Sequence, residues 1–234
     1  MSFVEQQVRL PEAFRPWAAR MSVATPVPGT ARTVLAEPDH ATTLSLREDA
    51  FVVIGPRTRA RYHEPKRFRS CLTIRLRPGL AGALLGLPMR DLVDRVVPLR
   101  DLWPGGDLTD VAGVERALAA RELPDDRLVR AAVALLRSKP VHATARELNV
   151  SERHLRTVFT ESVGVSPKHF ARLDRVRTVL DRAHHGHLAA LAAETGYYDQ
   201  SHMTAEFHAV MGVPPARFVA GDLPAPSGCS GFTS

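Results

Sequence analysis

Four polar side chains that can read DNA bases fall on one face of a predicted helix. The segment SERHLRTVFTESV (151–163) carries them, and at about 100° per residue its apolar side chains gather on the opposite face. The polar side chains are Arg153, Arg156, Thr157 and Thr160. A guanidinium can bond to O6 and N7 of guanine, and a threonine can hydrogen-bond a base or contact a thymine methyl. The open alternative is a charged face that only water contacts.

A second predicted helix, at 199–211, carries a weaker version of this face. Its core side is formed by Met203, Phe207 and Val210. Its exposed side consists of Gln200, Ser201, Thr204, Ala205 and His208. Glutamine can pair with adenine, but this face has no arginine and Glu206 flanks it. We expect weaker contact with DNA here, the alternative being a scaffold helix with few base contacts.

Both helices belong to a degenerate internal repeat. The string GVSPKHF (164–170) recurs as GVPPARF (212–218) 48 residues later, and Phe159 corresponds to Phe207 at the same offset. Upstream of the second helix the offset falls to 47, so the second copy has one extra turn residue. Turns are where a duplicated unit tolerates an insertion, so the chain contains two versions of one structural unit.

Each copy has the residues of a helix, a tight turn and a second helix. Asn149 and Gly196 tolerate the left-handed backbone of such a turn. Ser151 and Asp199 follow them and can cap the second helix. This arrangement is typical of the helix–turn–helix motif, whose second helix enters the major groove.

A single long helix is predicted between the two copies, in SPKHFARLDRVRTVLDRA (166–183). Pro167 suits its first turn, and its apolar stripe is formed by Phe170, Leu173, Val176 and Leu180. About 17 residues make a rod of about 25 Å, which can present two helices to neighbouring major grooves. Its basic side chains are predicted to contact phosphates: Lys168, Arg172 and Arg175.

These residues resemble a known family. The run from about Leu128 to Val219 is similar to the DNA-binding domain of AraC/XylS-type bacterial transcription regulators, most specifically in ALAAETGYYDQSHMTAEFHAVMGVPPARF. The resemblance implies two helix–turn–helix units on successive major-groove segments of promoter DNA. It places base contacts at Arg153, Arg156 and Thr157 in the first unit, and at Gln200, Ser201, Thr204 and Ala205 in the second. Ala205 is shorter than the polar residues of some members, which weakens readout by the second unit.

The charge distribution fits a nucleic-acid partner. The chain has a net charge of +6, but residues 127–182 alone carry 12 basic and 5 acidic residues. Residues 183–222 carry 1 basic and 4 acidic residues. A local basic segment is the expected footprint of a DNA-binding protein. A sequence-independent architectural DNA-binding protein would share this footprint and is the alternative function.

The predicted fold class is α+β, with a small strand-rich N-terminal domain before an all-α C-terminal domain. We predict the strand-rich domain at 1–106, a helical linker at 107–124, the DNA-binding domain at 125–221 and a disordered tail at 222–234.

Within the strand-rich part, alternating or apolar runs predict strands at 41–47, 51–55 and 70–77. Two short helices are expected in LAGALLGL (80–87) and MRDLVDRVV (89–97), and Asp107 is expected to cap a helix in 108–122.

The strand-rich part has a weaker likeness to the short N-terminal domain of some of these regulators, which implies signal sensing or dimerisation. It is short for the sugar-binding arm of better-known members, so no sugar pocket is expected. The partners are then double-stranded promoter DNA, with RNA polymerase, a small-molecule effector and a second copy of the chain left open.

Enzyme chemistry and cofactors are not expected. No G-x-S-x-G, P-loop or G-x-G-x-x-G string occurs. The histidines at 184, 185 and 187 lack cysteine or acidic partners at ligand spacing, and His40 and His63 are weak candidates, so no metal is predicted.

The cysteine count excludes one enzymatic relative. Some DNA alkylation-repair proteins join this DNA-binding module to a zinc–cysteine methyl-acceptor domain, which needs several thiolates. The chain has only Cys71 and Cys229. No apolar run reaches the roughly 18 residues of a membrane span and no secretory signal is visible, so a cytoplasmic location is expected.

Overall fold

The strand-rich and helical halves follow each other as the sequence predicts, which confirms the α+β class. The computed structural model describes residues 2–27, 33–47, 50–64, 71–185 and 188–226. Its strands are β1 (Ser2–Val8), β2 (Ala18–Val27), β3 (Val34–Ala36), β4 (Thr43–Arg47), β5 (Ala50–Ile54), β6 (Arg61–His63), β7 (Cys71–Leu76) and β8 (Val96–Pro98).

The strands form one large antiparallel sheet and a separate pair. Within the described residues the large sheet has the order β1-β2-β7-β4-β5-β8, and β3 pairs with β6. In β7, Ile74 and Leu76 are buried, as their alternation with polar residues predicts. They face a core that includes Phe14, Trp17 and Leu44.

Ten α-helices occur in the described part of the chain. They are α1 (Ala81–Leu85), α2 (Leu99–Leu102), α3 (Val111–Ala119), α4 (Arg127–Leu136), α5 (Val141–Glu147), α6 (Glu152–Val163), α7 (Pro167–Arg182), α8 (Leu188–Glu194), α9 (Gln200–Met211) and α10 (Pro215–Val219). Short 3-10 helices lie at Glu12–Phe14, Met89–Leu92 and Ala183–His185.

Two local predictions are wrong. The second short helix ends at Leu92, and Val96–Pro98 forms β8, because these apolar residues pair with the free side of β5 and become the edge strand of the sheet. The N-cap of α3 is Asp110, whose carboxylate accepts a hydrogen bond from the Gly113 amide at 2.7 Å. Asp107 accepts hydrogen bonds from Thr109 instead.

Helix α3 packs into the strand-rich domain. Its Val114 and Leu118 are 0% and 2% exposed and belong to the same core as the sheet. The segment predicted as a linker at 107–124 therefore contributes to the N-terminal core, while the limits of the domains remain predictions. The part of the predicted tail from residue 227 onward lies outside the described residues.

The helical half has two cores that share α7. Phe170, near the start of α7, packs with Leu155 and Phe159 of α6. Further along α7, Leu173 and Val176 pack in a second core with Met203 and Phe207 of α9. Helix α7 thus enters both cores, which joins the two halves of the repeat through one rod. No helix in the described ranges combines the length and apolarity needed to cross a bilayer.

Candidate nucleic-acid interface

The first repeat forms the predicted helix–turn–helix. Asn149 takes a left-handed φ of 54° between α5 and α6. Ser151 then caps α6, its hydroxyl accepting a hydrogen bond from the His154 amide at 3.1 Å. Leu155 and Phe159 are completely buried, which fixes the opposite side of α6 toward solvent.

The predicted base-reading residues of this unit lie together on the exposed side of α6. Arg153, Arg156 and Thr157 are all exposed. Arg156 pairs with Glu152 one turn earlier at 2.8 Å, a weak exposed ion pair that a DNA contact can replace. The Thr157 hydroxyl donates to the carbonyl of Arg153 at 3.1 Å, so its methyl group and the lone pairs of its oxygen remain for a base.

The second repeat has the same frame. Gly196 takes a φ of 77° in the turn. Asp199 caps α9, its carboxylate accepting a hydrogen bond from the His202 amide at 2.7 Å. Met203 and Phe207 are completely buried, as Leu155 and Phe159 are in the first unit, so the core assignments of both helices are confirmed.

The extra residue of the second turn is Tyr198. The amide of Val150 donates to the carbonyl of Ala145 at 3.0 Å, and the amide of Tyr197 donates to the carbonyl of Ala192 at 3.0 Å. Tyr197 therefore matches Val150, and Tyr198 is inserted before the cap. It is 93% exposed, so the insertion leaves the packing of the unit unchanged.

The predicted base-reading residues of the second unit lie on one open surface. Gln200, Ser201 and Ala205 are exposed, and Thr204 is half-buried. Together with His208 they line a single shallow depression. The surface offers amide, hydroxyl and imidazole groups, all of which can hydrogen-bond base edges.

Glu206 does not face this surface. Its carboxylate lies 2.8 Å from the Arg175 guanidinium and 3.9 Å from that of Arg172, both on α7. The Tyr197 hydroxyl donates to it at 3.1 Å, and the Arg175 guanidinium lies 5.3 Å from the Tyr197 ring. Burial, followed by the charge of Glu206, raises the pKa of the Tyr197 hydroxyl well above its ordinary value. Glu206 thus attaches the second helix–turn–helix unit (unit two, α8 and α9) to α7, the linker helix between the two units.

The three residues predicted to contact phosphates fall into two kinds. Lys168 is exposed near the start of α7. The side chains of Arg172 and Arg175 are each 32% exposed and turn toward Glu206. A phosphate contact by either arginine competes with this ion pair, and their role toward DNA remains a prediction. Sequence reasoning missed the cluster, although Glu206 stands where the first copy has the apolar Val158.

Histidines and cysteines do not assemble into a metal site in the described residues. No group of three or more His, Cys, Asp or Glu side chains comes together there. His184 is exposed and lies beside the Phe218 ring, whereas His40 is buried against Phe170. His187, the His185 side chain and Cys229 lie outside the described residues.

Comparison with known proteins agrees with this geometry. Residues 144–221 match a family model described as a helix-turn-helix domain. No curated protein matches the chain significantly.

Several solved structures are similar to the chain. The C-terminal domain of AraT, a response regulator from Geobacillus stearothermophilus, is 20% identical over 42% of this chain and 88% of its own, with a TM-score of 0.39. ToxT from Vibrio cholerae is 10% identical over 80% of this chain and 87% of its own, with a TM-score of 0.40. A ToxT structure with bound unsaturated fatty acid is 11% identical over 82% and 88%, with a TM-score of 0.40.

The family match covers both capped helices, both left-handed turns and the helix that joins them. The part of the chain from residue 144 to residue 221 is an AraC-type helix–turn–helix DNA-binding domain.

Proposed function

We propose that the protein is a sequence-specific transcription regulator that reads two adjacent major-groove segments of promoter DNA. The main support is that two helix–turn–helix units with equivalent caps and cores both expose polar residues on their second helix. In each unit a capped helix buries its phenylalanine and exposes polar residues at its first turns. The first turns of a recognition helix are the part that contacts base edges.

We expect the two units to contribute unequally to DNA affinity. Unit one presents the guanidiniums of Arg153 and Arg156, which can bond guanine in two places. Unit two presents Gln200, Ser201 and Thr204, which form weaker neutral contacts. Unit one thus provides most of the affinity, and unit two extends the sequence that is read.

The remaining partners belong to the same proposal. A regulator of this kind acts in the cytoplasm on promoter DNA, contacts RNA polymerase and has no catalytic role. Control by a small-molecule signal or by dimerisation through the strand-rich domain also belongs to it.

Selection of bound duplexes from a random DNA library tests the proposal directly. The full chain is expected to enrich a bipartite motif whose stronger half is lost in Arg153→Ala. Binding of the enriched duplex and of a scrambled duplex is then compared at one salt concentration. Sequence-specific proteins commonly prefer their sites by at least about a thousandfold.

The alternative is an architectural DNA-binding protein, which the excess of basic residues at 127–182 favours. Such a protein binds through phosphates and shows a steep salt dependence with no preferred sequence. Equal affinity for the enriched and scrambled duplexes would establish this alternative and reject the proposed function.

A further inference from the structure

The strand-rich domain contacts all three parts of the DNA-binding domain. On unit one, the 3-10 helix Met89–Leu92 packs against α6. At the end of α6 the approach leaves no space for a side chain, because a Cβ on Gly164 would lie 2.9 Å from the Met89 carbonyl oxygen. An exposed ion pair between Arg90 and Glu161, at 3.9 Å, borders this contact.

The contact with the linker helix is centred on a buried carboxylate. Asp39 is 7% exposed and accepts hydrogen bonds from Arg75 of β7, one of them 2.8 Å long. The guanidinium of Arg177, on α7, lies 3.1 Å from the same carboxylate and donates to the Pro38 carbonyl at 3.2 Å. One aspartate thus joins the large sheet to the linker helix.

This carboxylate is held in its charged form. Burial raises the pKa of Asp39, but the hydrogen bond from Arg75 and the charges of Arg75 and Arg177 outweigh burial and hold the pKa well below its ordinary value. Removing one partner from such a buried cluster leaves the other charges uncompensated, so the geometry of the joint depends on all three side chains.

The contact with unit two lies at the C-terminal end of α9, where the strand-rich domain donates hydrogen bonds to helix carbonyls. The Tyr62 hydroxyl, from β6, donates to the carbonyl of Met211 at 2.7 Å in a buried position. The amide of Ala60 donates to the carbonyl of Val210 at 2.9 Å. The last four carbonyls of a helix lack partners within the helix, so the strand-rich domain satisfies two of them at the end of α9.

We infer that the strand-rich domain sets the separation of the two recognition helices, with Asp39 and Tyr62 as positioning residues. Within the described helical half, unit two packs chiefly on α7, and rotation about α7 would break the bonds at Met211 and Val210. The domain therefore fixes the spacing between the two DNA segments that the full chain reads. This inference rests on the proposed function.

The test varies the spacing between the two halves of the enriched duplex. Each added base pair moves the second half by about 3.4 Å and rotates it by about 34°. The full-length protein is expected to bind duplexes with one base pair added or removed at least about tenfold more weakly, which corresponds to about 1.4 kcal/mol. In Tyr62→Phe and Asp39→Asn this penalty is expected to fall severalfold, while binding to the stronger half alone stays unchanged.

Tyr198→Phe is the matched control, since it removes the same hydroxyl from a tyrosine that is 93% exposed. It is expected to keep the spacing penalty of the unaltered chain. Thermal unfolding identifies any variant that fails to fold, and Tyr62→Phe decides the question if Asp39→Asn does not fold.

The outcomes separate the two proposals. Absence of any sequence preference in the unaltered chain rejects the proposed function. Sequence preference without a spacing preference, or a spacing preference that folded Tyr62→Phe retains in full, overturns the inference alone.

Discussion

The two helix–turn–helix units share their central buried positions and differ at their surfaces. Both bury a phenylalanine completely at the same place, and both start the second helix with a side-chain cap after a left-handed turn. At the surface the correspondence fails: Arg153 matches Ser201, and Arg156 matches Thr204. The comparison teaches that a few buried or turn positions maintain the frame, so the outward positions can take on different strengths of DNA contact.

The units also differ in where they keep their charge. Unit one places cations on the outer face of α6, whereas unit two turns Glu206 inward onto Arg172 and Arg175. The position of Glu206 corresponds to Val158 in unit one. Unit two therefore uses charge to attach itself to the linker helix, while unit one leaves its arginines available to a ligand.

The largest expected effect tests whether the interiors are equivalent. Phe159→Ala and Phe207→Ala are each expected to lower the free energy of unfolding by about 3–5 kcal/mol, because both rings are completely buried. Urea denaturation of the full chain measures the loss. Tyr198→Ala is the exposed control, with an expected change within about 0.5 kcal/mol. A loss at one phenylalanine only would contradict the equivalence of the frames.

The second expected effect is a pH dependence of the free energy of unfolding, caused by a buried histidine beside the core of unit one. His40 is buried against Phe170, and burial lowers its pKa to about 4, the charge of Asp39 opposing this and those of Arg75, Arg177 and Arg137 supporting it. Between about pH 6.5 and pH 4, His40 is therefore protonated in the unfolded chain and neutral in the folded chain.

The free energy of unfolding should therefore fall by up to about 3 kcal/mol as the pH decreases through this range. Denaturation at several pH values compares the unaltered chain with His40→Phe, which keeps an aromatic ring and removes the titrating group. His154→Gln, which replaces an exposed histidine of unit one, serves as the control variant in the same experiment. An unchanged slope in His40→Phe would show that this histidine titrates normally.

The third expected effect is on DNA affinity, and it compares the exposed face of α6 with that of α9. Arg153→Ala is expected to weaken binding to the enriched duplex by about 1–3 kcal/mol and to relax the preference at one base pair. Ser201→Ala, at the matching position, should cost less because a neutral hydroxyl forms fewer contacts. Fluorescence anisotropy with duplexes varied at each base measures both losses. Equal losses would mean that the two faces read DNA equally well.

The smallest effect concerns the inward charge of unit two. Glu206→Gln releases Arg172 and Arg175 from their ion pairs, so the slope of log affinity against log salt should steepen by about 1–2. Glu115→Gln removes the same charge from α3 and should leave the slope nearly unchanged. An unaltered slope in Glu206→Gln would show that neither arginine reaches a phosphate.

Local signals in the helical half were sufficient to predict its fold. The caps Ser151 and Asp199 and the turn residues Asn149 and Gly196 act through neighbouring backbone, and each occurs as predicted. The burial of Phe170 follows from periodicity in the same way.

The strand-rich half depends on pairing between distant segments. Strands β1 and β2 lack clean alternation, and the apolar residues Val96–Pro98 extend the sheet only because β5 offers an edge. The sequence pattern therefore does not predict β1 and β2, and it predicts a helix where β8 lies.

The candidate site likewise has a part that local sequence predicts and a part that depends on contacts between distant residues. The outward positions of α6 and α9 follow from helix geometry within one segment. The contacts of Glu206 with α7, of Asp39 with Arg177 and of Tyr62 with Met211 join residues far apart in the chain. Periodicity carries no information on such contacts. The one signal in the sequence is that Glu206 occupies the position of the apolar Val158 in the first copy.

The inserted tyrosine of the second turn has a consequence for how the two units have come to differ. Because Tyr198 projects into solvent and its neighbours keep the hydrogen bonds of the shorter turn, a residue entered this loop without any rearrangement of the hydrophobic interior. We expect a change of one residue in the length of this turn to cost little folding free energy. Each copy of such a repeat can therefore differ in its outer loop while the two copies keep equivalent packing.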